Sequence, residues 1–122
     1  VNIHPKPKKG DWNGSGMHAN FSNEKMRTAG SEKLFYSICE KLKEAHKEGI
    51  ASYGSDNAMR LTGLHETQSI DQFSYAIFDR GASIRIPIYT IEHDWNGYLE
   101  DRRPASNADP YKIISHIVGT LT

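Results

Sequence analysis

The sequence predicts an α+β fold: a mostly antiparallel sheet whose apolar face is covered by helices and whose polar face is left open as the site. Three observations predict it. Short segments alternate polar and apolar side chains, as half-buried strands do. Two longer segments repeat apolar residues at three and four positions, as amphipathic helices do. The 122 residues suffice for one domain with one core, and are few for an enzyme that must enclose a large nucleotide and a second substrate.

The elements follow in chain order. After the Pro/Lys-rich opening Val1–Lys9, which reads as the tail of a strand entering a turn, Gly10 to Gly16 form a loop where backbone can approach a ligand closely. The absence of an initiator Met at that opening points to a fragment of a longer chain. Met17 to Ser22 form a strand with His18, Asn20 and Ser22 on one side and Met17, Ala19 and Phe21 on the other. From Ser31, the residues Leu34, Phe35, Ile38, Cys39, Leu42 and Ala45 predict a helix stopped at Gly49, with Lys41, Lys43, Glu44 and Lys47 on its solvated face. Residues 53–68 read as long functional loops. Phe73, Tyr75 and Ile77 mark one strand and Ile84, Ile86 and Ile88 another, the two pairing through an Asp79-Arg80-Gly81 turn. Pro87 lacks an amide proton, which predicts an edge or an irregularity there. Tyr98 to Arg102 alternate again, with Tyr98, Glu100 and Arg102 on one side. Asp109 as N-cap and Pro110 at the first helical position open a second amphipathic helix through Ile113, Ile114, Ile117, Val118 and Leu121.

Composition narrows the function. The formal net charge is zero, so no basic field favours nucleic acid. The lone Cys39 cannot pair within the chain, and no apolar run has the length of a membrane span or a signal peptide. The expectations are no nucleic acid, no membrane and a reducing cytoplasmic setting.

The polar faces carry the chemistry. A strand histidine such as His18 is, taken alone, more often a hydrogen-bonded structural residue than a ligand. Glu100 beside Arg102 offers a hard oxygen ligand next to a fixed cationic fork, which suits a cation and an anionic substrate side by side. The stretch Glu100-Asp101-Arg102-Arg103 reads equally well as a surface cluster neutralising itself. Arg80 and Arg85 flank the small residues Gly81-Ala82-Ser83, where a large anion can approach. Arginines and divalent metals are the usual protein parts for phosphoryl transfer, and salt bridges to carboxylates are the alternative. Asn13-Gly14-Ser15-Gly16 is a weak phosphate-loop signal with no Walker pattern, and no nucleophile-base spacing argues for covalent catalysis. Cys39 falls on an apolar helix face, in the core.

Four blocks, taken together, resemble glutamine synthetase of the type shared by eukaryotes and some bacteria. They are Gly10-Asp11-Trp12-Asn13-Gly14-Ser15-Gly16-Met17-His18-Ala19-Asn20-Phe21-Ser22, Asp56-Asn57-Ala58-Met59-Arg60-Leu61-Thr62-Gly63-Leu64-His65-Glu66-Thr67, Arg80-Gly81-Ala82-Ser83-Ile84-Arg85-Ile86-Pro87 and Gly97-Tyr98-Leu99-Glu100-Asp101-Arg102-Arg103-Pro104. The resemblance spans nearly the whole chain and implies that residues 1–122 are the C-terminal portion of a catalytic domain.

The resemblance implies ATP-dependent ligation of ammonium to glutamate through γ-glutamyl phosphate, with Mg²⁺ or Mn²⁺ as cofactor and ATP as co-substrate, in a homo-oligomeric parent. By motif, His18 and Glu100 would ligate a metal, and Asn13, Gly14, Arg60, Arg80 and Arg102 would hold glutamate. Asn20, Phe21, Ser22, Tyr98 and Leu99, together with Arg80, Arg85 and Glu100, would contact the nucleotide. Arg80 and Arg85 would stabilise the transferring phosphoryl group. Glu66 would close over the intermediate and deprotonate ammonium. The family's other metal-binding glutamates have no counterpart here, so the isolated 122 residues are expected to be inactive. Two alternatives stay open: a non-catalytic binding or structural relative, and a related ATP-dependent ligase of another amine or amino acid.

Overall fold

The computed structural model describes residues 2–122. Four three-residue strands form one sheet: β1 (Ala19–Phe21), β2 (Tyr75–Ile77), β3 (Ile84–Ile86) and β4 (Leu99–Asp101), in the order β1-β4-β3-β2. Strand β4 runs antiparallel to both β1 and β3, whereas β2 and β3 are parallel. The sheet is therefore mixed, which corrects the expectation of a mostly antiparallel one.

The Asp79-Arg80-Gly81 turn does not close a hairpin. Phe78 leaves β2 with a positive φ of 57° and donates its amide to the Ile86 carbonyl at 2.9 Å, and residues 78–83 carry the chain back to the start of β3. A three-residue strand rises only about 10 Å, so a connection of this length can span the return without a crossover helix.

Among the described residues, five α-helices accompany the sheet: α1 (Glu24–Thr28), α2 (Glu32–Glu44), α3 (His46–Ser52), α4 (Ile88–Glu92) and α5 (Pro110–Leu121), with a 3-10 turn at Asn57–Met59. Ser31 caps α2 by accepting from the Leu34 amide, and Asp109 caps α5 by accepting from the Tyr111 amide with Pro110 in its first turn. Helix α2 buries Phe35, Ile38, Cys39 and Leu42 against Ile84, Ile86 and Leu99, with Met26 of α1 beside them. Helix α5 buries Ile113 and Ile117 against Tyr53 and Ala108, with Met17, Ala19 and Phe21 alongside. One sheet face thus rests on helices through the odd-numbered residues of β1 and β4 and the even-numbered ones of β3.

Several boundaries differ from the sequence reading. The chain breaks between α2 and α3 at Ala45, and Gly49, expected as a stop, lies buried inside α3. It is small for a packing reason: a Cβ there would stand 2.8 Å from His116 Nε2 and 3.3 Å from Arg103 Nη1. Pro87 ends β3 as the N-cap of α4, so Ile88 is helical, and β3 is an interior strand rather than an edge. Helices α1 and α4 are too short to declare a period. No helix among the described residues is long and apolar enough to cross a membrane.

Candidate active site

On the sheet face away from the helices, Asn20, Glu100 and Arg85 stand in one cross-strand row, with Asn20 paired to Glu100 and Glu100 to Arg85. Side-chain parity puts them together: their neighbours Phe21, Leu99, Ile84 and Ile86 point to the core. The Glu100 carboxylate is the centre of the row. Its Oε1 accepts from Arg102 Nη1 at 3.0 Å and lies 3.0 Å from His18 Nδ1, while Oε2 accepts from Arg85 Nη1 at 3.3 Å. The Arg85 guanidinium also lies over the Phe78 ring, 4.9 Å from its centroid.

One carboxylate thus faces two permanent cations, and the arginines are incompletely used. The Nε atoms of Arg85 and Arg102 are buried without hydrogen-bond partners. The excess positive charge is receptive to an anion. Burial, then Arg102, lowers the pKa of His18, and Glu100 opposes the shift without reversing it. The imidazole is therefore neutral at pH 7, the form that ligates a metal.

Beside this row lies a cavity of about 200 Å³ lined by Asn13, Gly14, His18, Arg60, Glu66 and Arg102, among others. It brings the candidate glutamate-holding residues, one candidate metal ligand and the candidate closing carboxylate around one space; only Arg80 of the glutamate set lies outside it. Gly14 makes the approach of Arg60 feasible, since a Cβ there would meet Arg60 Cγ and the Pro5 carbonyl at 2.6 Å. Arg60 is buried, and its Nη2 donates to the carbonyls of Arg102, Arg103 and Pro104 at 3.0, 2.9 and 3.0 Å. Burial, with Arg102 nearby, lowers its pKa to about 10. Arg60 is therefore also a bracket for the segment after β4, a duty the sequence reading did not foresee.

Glu66 is exposed on a loop where both His65 and Glu66 have positive φ, at 54° and 60°. The loop is tied to the glycine segment by His65 Nε2, 2.8 Å from Asp11 Oδ1, and is closed at its base by the Ile70 amide donating to the Leu61 carbonyl at 3.0 Å.

The candidate nucleotide residues are more scattered. Asn20 is exposed, Ser22 donates its hydroxyl to the Gly97 carbonyl at 2.6 Å, and the Tyr98 ring lies 5.8 Å from that of Tyr89. Phe21 and Leu99 pack into the core, and Leu99 is buried outright, main chain included. Arg80 is exposed in the 78–83 connection and makes no side-chain hydrogen bond among the described residues.

The other face of β4 holds groups that the sequence reading missed. Asp101 is fully buried; its Oδ2 accepts from Tyr53 OH at 2.7 Å and Arg103 Nη2 at 2.8 Å, and its Oδ1 from Arg103 Nε at 2.9 Å and the Arg103 amide at 3.1 Å. Arg103 lies between the rings of Tyr53 and Phe73, each centroid 5.1 Å from its Cζ. Strand parity was the signal: residues 100 and 102 share one side, so 101 and 103 share the other.

Cis donors roughly 2.1 Å from an octahedral ion stand about 3 Å apart, and His18 Nδ1 and Glu100 Oε1 are 3.0 Å apart. The pair would supply two of such an ion's six donors, the cation replacing the proton that Nδ1 shares with Oε1. No group of three or more His, Cys, Asp or Glu converges among the described residues.

No family model matches the chain. It is 54% identical over 120 residues to the glutamine synthetase of Agaricus bisporus, covering 98% of this chain and 34% of that protein. It is 55% identical over 122 residues to that of Colletotrichum gloeosporioides, covering 99% and 33%, and 55% identical over 113 residues to that of Fusarium solani subsp. phaseoli, covering 93% and 32%. The chain spans about a third of the length of the curated relatives it matches.

Proposed function

We propose that this chain, which belongs by sequence to the glutamine synthetase family, is the C-terminal portion of a catalytic domain that ligates ammonium to glutamate with ATP. The observation that carries the proposal is the Glu100 carboxylate held among His18, Arg85 and Arg102, beside a cavity that also gathers Asn13, Gly14, Arg60 and Glu66.

The residues divide the work. Asn13, Gly14 and Arg60 hold glutamate, and Arg102 orients its side-chain carboxylate. That carboxylate is a poor electrophile until one of its oxygens takes the terminal phosphoryl group of ATP, releasing ADP. Arg80 and Arg85 balance the charge spread over the phosphoryl oxygens during the transfer. Asn20, Ser22 and Tyr98, beside Phe21 of the edge strand, contact the nucleotide. Glu66 then accepts a proton from ammonium, the freed ammonia attacks the acyl carbon, and phosphate leaves. Closure of the Glu66 loop excludes water, which would otherwise hydrolyse the acyl phosphate.

His18 and Glu100 would hold a divalent cation, Mg²⁺ or Mn²⁺, and imidazole ligation favours Mn²⁺. Such a cation, when bound, supplies neutralising charge to the nucleotide phosphates. Its remaining ligands would come from outside these 122 residues, as would the further copies of a homo-oligomeric enzyme. A lone, buried Cys39 suits a reducing cytoplasm.

The test is ATP-dependent glutamine formation by a chain of the relatives' full length carrying this segment. Arg102→Ala and Glu66→Gln should each lower kcat/KM by at least about a hundredfold. The 122 residues alone should form no glutamine. Unchanged activity in both variants, or a full-length protein that ignores glutamate, would overturn the reading.

A further inference from the structure

The base of the Glu66 loop is held from outside the loop by one imidazole. His46, the first residue of α3, places Nε2 2.9 Å from the Ile70 carbonyl, next to the amide that closes the loop on Leu61. Its other nitrogen, Nδ1, lies 2.9 Å from Arg103 Nη1. A guanidinium only donates, so Nδ1 must be the acceptor and Nε2 must carry the hydrogen given to Ile70. Both bonds need the neutral ring in that one tautomer. The ring is steadied edge-on against Phe73, with centroids 5.5 Å apart at 70°.

Arg103 is itself fixed on Asp101. A continuous line therefore runs from the buried side of β4, behind Glu100 and Arg102, through Arg103 and His46 to the base of the Glu66 loop. We propose that His46 is a positioning residue: its neutral imidazole ties the Glu66 loop to the buried Asp101–Arg103 pair and so sets where Glu66 stands over the cavity. This inference rests on the reading of Glu66 as the closing carboxylate.

The tie is pH-sensitive. Protonated His46 would place a second cation against Arg103 and lose its acceptor. The groups that face it are Arg103 and Asp101 from the end of β4, Asp71 and the Ile70 carbonyl from the loop base, and Lys47 on its own helix, with His116 of α5 flanking Arg103. Burial, aided by Arg103, outweighs the Ile70 carbonyl, Asp101 and Asp71, and holds the ring below its ordinary 6.5. The tie is complete above pH 6.5 and is lost as pH falls through the lower folded value.

The experiment uses a chain of the relatives' length carrying His46→Phe, which keeps a flat ring without the bonds, and His46→Gln, whose amide can still donate to Ile70. Amide hydrogen exchange is read over residues 62–70, with separate KM values for ammonium, glutamate and ATP. His46→Phe should speed exchange in that window about tenfold or more, since a tether to the loop base is lost, and leave the core helices protected. It should raise the ammonium KM severalfold with the other two unchanged, and remove the acid limb attributable to His46. His46→Gln should restore protection and the ammonium KM without restoring that limb. Unchanged loop exchange in His46→Phe would overturn the inference, as would faster exchange throughout the molecule with all kinetic constants falling together. Faster loop exchange in a wild-type background that makes no glutamine would support the tie and sink the functional reading instead.

Discussion

The two faces of β4 use the same pairing of a carboxylate with a guanidinium to opposite ends. On the open face, Glu100 meets Arg102 in a group that also includes Arg85 and His18, with two guanidinium Nε atoms left idle. On the buried face, Asp101 meets Arg103, and every carboxylate oxygen has two donors. The buried pair is saturated and has nothing left to offer a ligand. The open one carries surplus positive charge, which is what an anion site needs and a core cannot tolerate. Satisfaction, rather than residue type, separates scaffold from site.

The comparison breaks most visibly when one buried partner is removed. Asp101→Ala strands the Arg103 charge and should lower the unfolding free energy by about 3–5 kcal/mol in a denaturant titration. Tyr53→Phe removes one hydrogen bond to the same carboxylate and should lose about 1.5–3 kcal/mol. Acid should find this pair too. Burial alone would raise the Asp101 pKa, but Arg103, Tyr53 and the Arg103 amide outweigh it and hold the carboxyl below its ordinary 3.8. Its stabilisation is present above that value and is lost as pH falls below it through the lower folded pKa, so the denaturation midpoint of wild type should fall steeply there.

On the open face the expected stability effect is smaller and the ligand effect larger. Glu100→Gln, which keeps the side chain's shape and one acceptor oxygen, should change stability by no more than about 1–2 kcal/mol, while ATP-dependent turnover is lost in a chain of the relatives' length. Smallest is Gly49→Ala. A helix interior ordinarily gains about 1 kcal/mol from that change, and here the new Cβ meets His116 and Arg103, so thermal unfolding should show no gain.

Much of this was legible in the chain. The three-and-four apolar spacing from Ser31 and the Asp109-Pro110 cap announced their helices because both are local chemistry, and the odd-even pattern of residues 98–102 announced the open face because strand parity is strict. Pairing direction was not legible, since a six-residue return from β2 to β3 leaves no mark in composition. Nor was the depth of Asp101 and Arg103. Parity assigns a side but not whether that side is wet, and the burial depends on Tyr53, Phe73 and His46, which lie far away in sequence. The division of Arg60 between cavity and bracket depends in the same way on three carbonyls that meet it only after folding.

The central claim is that His18 and Glu100 supply two of the ligands of a divalent-cation site on the open face. Mn²⁺ titration in the presence of ADP, followed by the loss of free-ion magnetic resonance signal, tests it in a chain of the relatives' length. His18→Ala should weaken Mn²⁺ binding by about tenfold or more while leaving the unfolding transition in place. Equal Mn²⁺ affinity in wild type and His18→Ala would contradict the account.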